Sequence, residues 1–323
     1  MEQPSGDASA ITGIVQVMLA AGLWSTVGVS TKLVTSAGMM PEEMLSLSRL
    51  AVGGPALLLL VVVLARTSLS VIFTLDPARL AFFVLGCTVF QLCLFQAFVL
   101  LEVTTTVFIT VCLPPLMAMA LSLARGDRSV TTGGGIALGL GIVGLAFFTI
   151  DGFSAGFDRE RLLGLALAIL AAAAFVLMTS SARHLTRTNS PLLVAGMGLT
   201  LSALVLCVLL PFFRFETVVS AQIVPWELAG FILYLGLGPT ALAYVLYCSG
   251  VARCRSTNVG LVASMVEPAF AALLAWAVLH ERLSATEVAG CALVMTAMLV
   301  LCESERLVPK GTPVLPPVDG IKS

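Results

Sequence analysis

Apolar residues fill this chain in long runs, and polar positions are scarce enough to read as breaks. A segment needs about 20 apolar residues to cross about 30 Å of hydrocarbon. On that measure the breaks predict ten membrane spans, near 11–36, 43–65, 78–101, 104–124, 133–150, 162–182, 192–213, 226–250, 257–279 and 285–302. The apolar stretch from Ala78 to Ala124 would reach about 70 Å as one helix, too long for a single crossing. Glu102 and the run Thr104-Thr105-Thr106 mark the turn inside it. The segment His280-Glu281-Arg282-Leu283-Ser284 separates the last two spans. Beyond Cys302 the tail holds Pro309, Pro313, Pro316 and Pro317 and no apolar run, so 303–323 reads as a disordered terminus.

Composition agrees with the pattern. Of 323 residues, 59% are hydrophobic and 11% charged, under half the charged share usual in soluble proteins. The net charge of −1 leaves no basic footprint for a nucleic acid. The eight cysteines include no CxxC pair and read as small buried hydrophobes. His184 and His280 sit in different connections, which argues against a His-based metal site or a Ser-His-Asp triad. No cofactor or metal is therefore expected. The first ten residues carry Glu2 and Asp7 but no Lys or Arg, so the first apolar run is expected to stay as a span after a short 1–10 terminus.

The cations set an orientation. With the N-terminus inside, the inner segments hold eleven Lys and Arg and the outer ones four, while Lys32 and Arg49 fall within spans. That bias predicts both termini in the cytoplasm.

The two halves, 11–151 and 162–302, resemble each other. Ile11-Thr12-Gly13-Ile14 through Trp24 parallels Leu162-Leu163-Gly164-Leu165 through Phe175. Leu113-Pro114-Pro115-Leu116 parallels Val266-Glu267-Pro268-Ala269, and Gly126-Asp127-Arg128 parallels His280-Glu281-Arg282. Five spans per half is an odd number, so the second half is expected upside down relative to the first. Inverted repeats are a transporter architecture, with the substrate site near the midplane.

Leu23-Trp24-Ser25, then Lys32 and Arg49, resembles the opening of the EamA-type branch of the drug/metabolite transporter superfamily. Glu267-Pro268 followed by His280-Glu281-Arg282-Leu283-Ser284 and Gly290 resembles the end of that family's second repeat. The first repeat departs from it, with Pro114 opposite Glu267 and Asp127 opposite Glu281. The resemblance spans nearly all of 11–302. It implies a ten-helix inner-membrane carrier of small metabolites, with amino-acid export a common task of such carriers.

Ionisable groups inside spans are costly and usually functional. Glu267 falls about 15 Å deep by helix rise; it is a candidate to bind a coupling proton or a substrate ammonium, or to stitch helices together. Pro268 beside it removes a backbone donor and frees the Ser264 carbonyl. Lys32 and Arg49 lie some 8–9 Å below the outer surface. They either hold a substrate carboxylate, pair with Glu42, Glu43 or Glu102 as gating elements, or snorkel outward. Gln91, near the midplane, reads a substrate or bonds a neighbouring helix. Trp24 and Ser25 are deep enough to wall a cavity, and Tyr234 is the cavity candidate among the eighth-span tyrosines. Pro114, Pro115, Pro239 and Pro268 mark interrupted helices, the best sequence pointer to a transport site. The pair Gly135 and Gly139, and the run Ala171–Ala174, read as close helix packing.

The expectation is an all-α integral membrane protein of ten transmembrane helices in two inverted repeats, not an enzyme. Its partners would be the lipid bilayer of the plasma membrane and a small-molecule substrate, an amino acid or related zwitterion first. A facilitator, exchanger or uptake carrier stays open beside export, as do a homodimer and a non-transporting scaffold.

Overall fold

The computed structural model describes residues 6–65, 75–124, 132–154, 159–209, 226–253, 266–282 and 284–306. Every regular element among them is helical: α1 (Gly6–Ser36), α2 (Glu42–Ala65), α3 (Pro77–Leu100), α4 (Val103–Ala124), α5 (Thr132–Ser154), α6 (Arg159–Leu185), α7 (Pro191–Leu209), α8 (Trp226–Gly236), α9 (Ala243–Arg253), α10 (Val266–Leu279) and α11 (Ala285–Arg306). A π-helical segment, Leu237–Leu242, joins α8 to α9.

Local chemistry sets the ends. Asp76 caps α3 by accepting from the N–H groups of Ala78 and Arg79 at 2.9 and 3.2 Å, with Pro77 in the first turn, where its missing donor is not needed. Glu42 and Glu43 favour the positive end of the α2 dipole. The α3–α4 turn is only Leu101 and Glu102. Thr104, Thr105 and Thr106 belong to the first turn of α4 and are buried, rather than standing in the connection. The last helix continues through Glu303 to Arg306, so the helical part of the C-terminus is longer than expected; residues 307–323 lie outside the described residues.

Six of the helical stretches are long and apolar enough to cross a membrane: Ile11–Ser36, Glu42–Val63, Pro77–Leu100, Arg159–Ala182, Pro191–Leu209 and Trp226–Gly250. Four further apolar stretches are shorter, Val103–Ala118, Gly135–Gly144, Glu267–Leu279 and Val288–Ala297. Large apolar side chains cover the outside, among them Leu59, Val208 and Trp276 at 65%, 70% and 63% exposure. A surface this apolar is matched to lipid rather than water.

The principal pairings are α3 with α6 and α7, α5 with α11, α2 with α7 and α8, α1 with α9 and α10, and α4 with α6 and α10. Exchanging α1 with α6, α2 with α7, α3 with α8–α9, α4 with α10 and α5 with α11 returns the same set. Ring contacts follow the exchange. Trp24 on α1 meets Tyr244 on α9 at 5.8 Å, and Phe175 on α6 meets Phe90 on α3 at 5.3 Å.

Close approach fixes the tightest seam. A Cβ added to Gly86 would lie 2.8 Å from the Met178 nitrogen and 2.9 Å from the Ala174 oxygen, so α3 lies directly on the α6 backbone. The small run Ala171–Ala174 lies along this seam, as its size suggests. Gly135 and Gly139 do not pack in this way. Both are exposed, and a Cβ on either would meet nothing within 4 Å. Gly141 is the residue that admits α4, through Leu116. Cys87, Cys93 and Cys112 are buried free thiols, Cys248 and Cys291 are half-buried, and Cys207 is exposed.

Candidate substrate site and end latches

Arg49 is the centre of the candidate site. It is 6% exposed, so it does not snorkel to a surface. Its Nε donates to Thr240 Oγ1 at 2.7 Å and its Nη2 to the Pro239 carbonyl at 3.5 Å. The π segment creates these acceptors. Pro239 cannot donate into the helix, and the helix widens around it. The Thr240 hydroxyl in turn donates to the Leu235 carbonyl, five residues back, at 2.8 Å. α2 comes this close because position 53 is glycine: a Cβ there would collide with Thr240 Cγ2. The expected partners Glu42, Glu43 and Glu102 do not meet Arg49; Glu43 instead accepts from Gln96 Nε2.

Arg49 also lies within electrostatic range of Tyr244, Cys87 and Glu267. Glu267 is half-buried in the first turn of α10. Pro268 follows it in that turn; Ser264, expected to carry a freed carbonyl, lies outside the described residues. Pro114 and Pro115 do not interrupt α4, which runs unbroken from Val103 to Ala124 with Pro114 buried. Helices in membranes tolerate proline where neighbours compensate. Among the described residues, an irregular helix surrounds Pro239.

Trp24 is half-buried against both Tyr244 and Tyr247, with ring centroids at 5.8 and 5.3 Å. Tyr234, favoured from the sequence, stands elsewhere. It is 40% exposed, and its hydroxyl shares a 2.7 Å hydrogen bond with Thr26 Oγ1. A helix phase decides this: Tyr244 and Tyr247 follow the π segment, whose extra residue turns the later face inward. Ser25 is fully buried, and its hydroxyl is satisfied by the Gly22 carbonyl at 2.7 Å. Gln91 is 4% exposed, and its Oε1 has no partner in the protein.

A second constellation closes one end of the bundle. Lys32 Nζ donates to Glu281 Oε1 at 3.0 Å, a partner the sequence reading did not name. The same carboxylate accepts from the Val103 N–H at 3.0 Å, and its other oxygen from Thr104 N and Oγ1, each at 3.5 Å. Glu281 therefore caps the orphan donors of α4. Glu102 pairs with Arg161 Nη1 at 3.5 Å. These contacts gather the end of α1, the starts of α4 and α6 and the end of α10. The left-handed backbone of His280, at φ 56, turns the chain just before Glu281. No signal in a single sequence pairs position 32 with 281. Among the described residues, no cluster of three or more His, Cys, Asp or Glu has metal-binding geometry.

Comparisons with known proteins agree in class. Residues 162–302 match the EamA-like transporter family. The chain is 26% identical over 294 residues to an uncharacterized transporter, YwfM, of Bacillus subtilis (strain 168), which covers 90% of this chain and 93% of that protein. A solved crystal structure shares 19% identity and a TM-score of 0.62, covering 94% of this chain and 100% of its own, a likeness of fold alone. The apolar helices, the second half that matches the family and the transporter-named relative converge on a multi-pass membrane protein similar to the EamA-like transporters.

Proposed function

We propose that this transporter exports small zwitterions, amino acids first, across the plasma membrane by alternating access, with Glu267 as the proton-coupling group. The observation that carries the reading is that opposite charges from the two halves act on each other. Arg49 from the first half is bonded to the irregular π segment, and Glu267 from the second lies within its electrostatic range. A zwitterion presents the complementary pair. Its carboxylate replaces the weak Pro239 carbonyl contact on Arg49, and its ammonium competes with a proton at Glu267. A shared site for proton and ammonium makes the two exchange, which is the logic of export on an inward proton gradient.

The exchange-symmetric helix pairing supports two inverted five-helix repeats and ten spans, and the cation bias supports both termini cytoplasmic. Inverted repeats supply two alternative packings of the same parts around a fixed site. Lys32 with Glu281, and Glu102 with Arg161, gather ends that the proposed topology puts on the extracellular side. We read them as the closed outer gate, so this conformation faces the cytoplasm. Trp24, Tyr244 and Tyr247 form the aromatic wall, while Ser25 and Tyr234 contribute packing and an edge contact.

Proteoliposomes test this directly. They are loaded with amino acids and related metabolites, and solute loss is followed with and without a proton gradient directed inward. Loss stimulated by the gradient in wild type, and no longer stimulated in Glu267→Gln, is the expected result. Loss indifferent to both makes the protein a facilitator; loss requiring an external counter-solute makes it an exchanger. No movement of any zwitterion overturns the substrate assignment and favours the scaffold reading.

A further inference from the structure

Several helical threonines in this protein donate back to the carbonyl four residues earlier: Thr31 to Val27, Thr110 to Thr106, Thr179 to Phe175 and Thr200 to Gly196. Thr240 reaches five back instead, to the Leu235 carbonyl at 2.8 Å. Its neighbour gives the reason. In an α-helix the Leu235 carbonyl would accept from the N–H of residue 239, and residue 239 is a proline, which has none. The Thr240 hydroxyl supplies the missing donor.

That bond fixes the direction of the next one. A hydroxyl has one proton and two lone pairs. With its proton on the Leu235 carbonyl, Thr240 meets Arg49 only as an acceptor, and Arg49 Nε donates to it at 2.7 Å. Donation therefore runs one way, from Arg49 through Thr240 to Leu235. Thr240 is 0% exposed and Arg49 6%, so little water competes for these bonds. The backbones hold the register. Arg49 and Gly53 are four residues apart on one face of α2, and a Cβ on Gly53 would lie 2.7 Å from the Gly236 carbonyl oxygen. Of the three guanidinium nitrogens, Nε is occupied by Thr240, and Nη2 has only the 3.5 Å contact with the Pro239 carbonyl. A guanidinium can hold a carboxylate with two parallel N–H bonds, and its two terminal nitrogens offer that fork.

We propose that Thr240 is a positioning residue for the substrate carboxylate: it fixes Arg49 through Nε and leaves both terminal nitrogens to receive the two carboxylate oxygens. The assignment rests on the zwitterion reading above and goes beyond it by giving Pro239 and Thr240 separate tasks. Pro239 opens the Leu235 carbonyl, that carbonyl takes the Thr240 proton, and the oxygen so oriented aims Arg49. Thr240 acts through Arg49 and does not touch the substrate. Supplying the Leu235 carbonyl with another donor should therefore restore the helix without restoring the aim.

The test uses the purified full chain, in proteoliposomes for export and in detergent for melting. Each of the twenty amino acids is loaded, and the one that wild type exports fastest becomes the probe. In Thr240→Val its KM should rise about fivefold with kcat within about twofold of wild type, the mark of one lost binding contact. The melting temperature should fall, because a buried carbonyl loses its donor. Thr240→Ser keeps the hydroxyl and should hold KM within about twofold of wild type. Adding Pro239→Ala to Thr240→Val returns a backbone donor to the Leu235 carbonyl. The double variant should melt at the wild-type temperature or above, while KM stays about fivefold raised. KM within about twofold of wild type in Thr240→Val overturns the positioning role and leaves the zwitterion reading intact. KM that recovers together with the melting temperature in the double variant does the same, by making Thr240 structural. A melting temperature that Pro239→Ala does not restore overturns the placement of the Thr240 proton and the positioning built on it. No export of any amino acid overturns the zwitterion reading and the positioning role with it.

Discussion

Lys32 and Glu281, 249 positions apart in the chain, meet at 3.0 Å where α1, α4 and α10 converge. The carboxylate has two tasks there, pairing the ammonium and capping α4. The tasks separate by substitution. Lys32→Met removes the ion pair alone and should cost about 1 kcal/mol or less at this partly exposed position. Glu281→Ala also strips the cap and should cost roughly 1 kcal/mol more. Thermal unfolding of both single variants and the double variant measures the coupling. Equal losses from the two single variants would remove the capping role.

Arg49 and Glu267 should show electrostatic coupling, since each lies within range of the other. Arg49→Met leaves Glu267 without its counter-charge and should cost about 3 kcal/mol. Adding Glu267→Gln to Arg49→Met should recover part of that loss, because an uncompensated charge is worse than none. Melting temperatures of the four proteins in one detergent check the sign; a strictly additive double variant would contradict it.

Arg49→Lys should not substitute for arginine. The Nε bond to Thr240 and the Nη2 contact with Pro239 are made by one planar group, and an ammonium has no such fork. Transport in proteoliposomes should fall at least about tenfold, as expected for losing a charge-assisted hydrogen bond. Thr240→Val removes one acceptor and keeps the charge, so its loss should be smaller.

The tyrosines separate wall from edge. Tyr244→Phe removes a hydroxyl within electrostatic range of Arg49, whereas Tyr234 is 40% exposed with a bond to Thr26. Transport should change several-fold in Tyr244→Phe and stay within about twofold in Tyr234→Phe, since losing one exposed neutral hydrogen bond costs little. The reverse order would restore Tyr234 as the cavity residue.

Two glycines give a packing contrast. Gly86→Ala drives a methyl group into the α6 backbone and should cost about 1–3 kcal/mol. Gly139→Ala enters open space and should be neutral or stabilising by up to about 1 kcal/mol. Matching losses on thermal unfolding would place Gly139 in a packed interface.

The helices were legible in the chain because each needs only its own residues. Scarce polar positions mark the ends, and the two-residue turn at Leu101 and Glu102 falls where Glu102 interrupts the apolar run. Buried Arg49 and Gln91 were legible as costly polar groups within apolar runs. The partners were not legible. Lys32 has several carboxylates nearby in sequence and pairs with a distant one, because helix ends meet only after the bundle assembles. Tyr244 rather than Tyr234 joins Trp24 because a π segment shifts the helix phase by an amount that periodicity alone does not carry. Gly135 and Gly139 have the spacing of a packing motif and face open space, since spacing names a face and not what lies opposite. Long apolar runs with rare polar breaks are enough to specify a bundle of apolar helices carrying a few expensive polar groups. Tertiary structure decided which of those groups satisfy one another and which oxygens are left over, because hydrogen bonds and ion pairs act over a few ångströms, a distance that only packing sets.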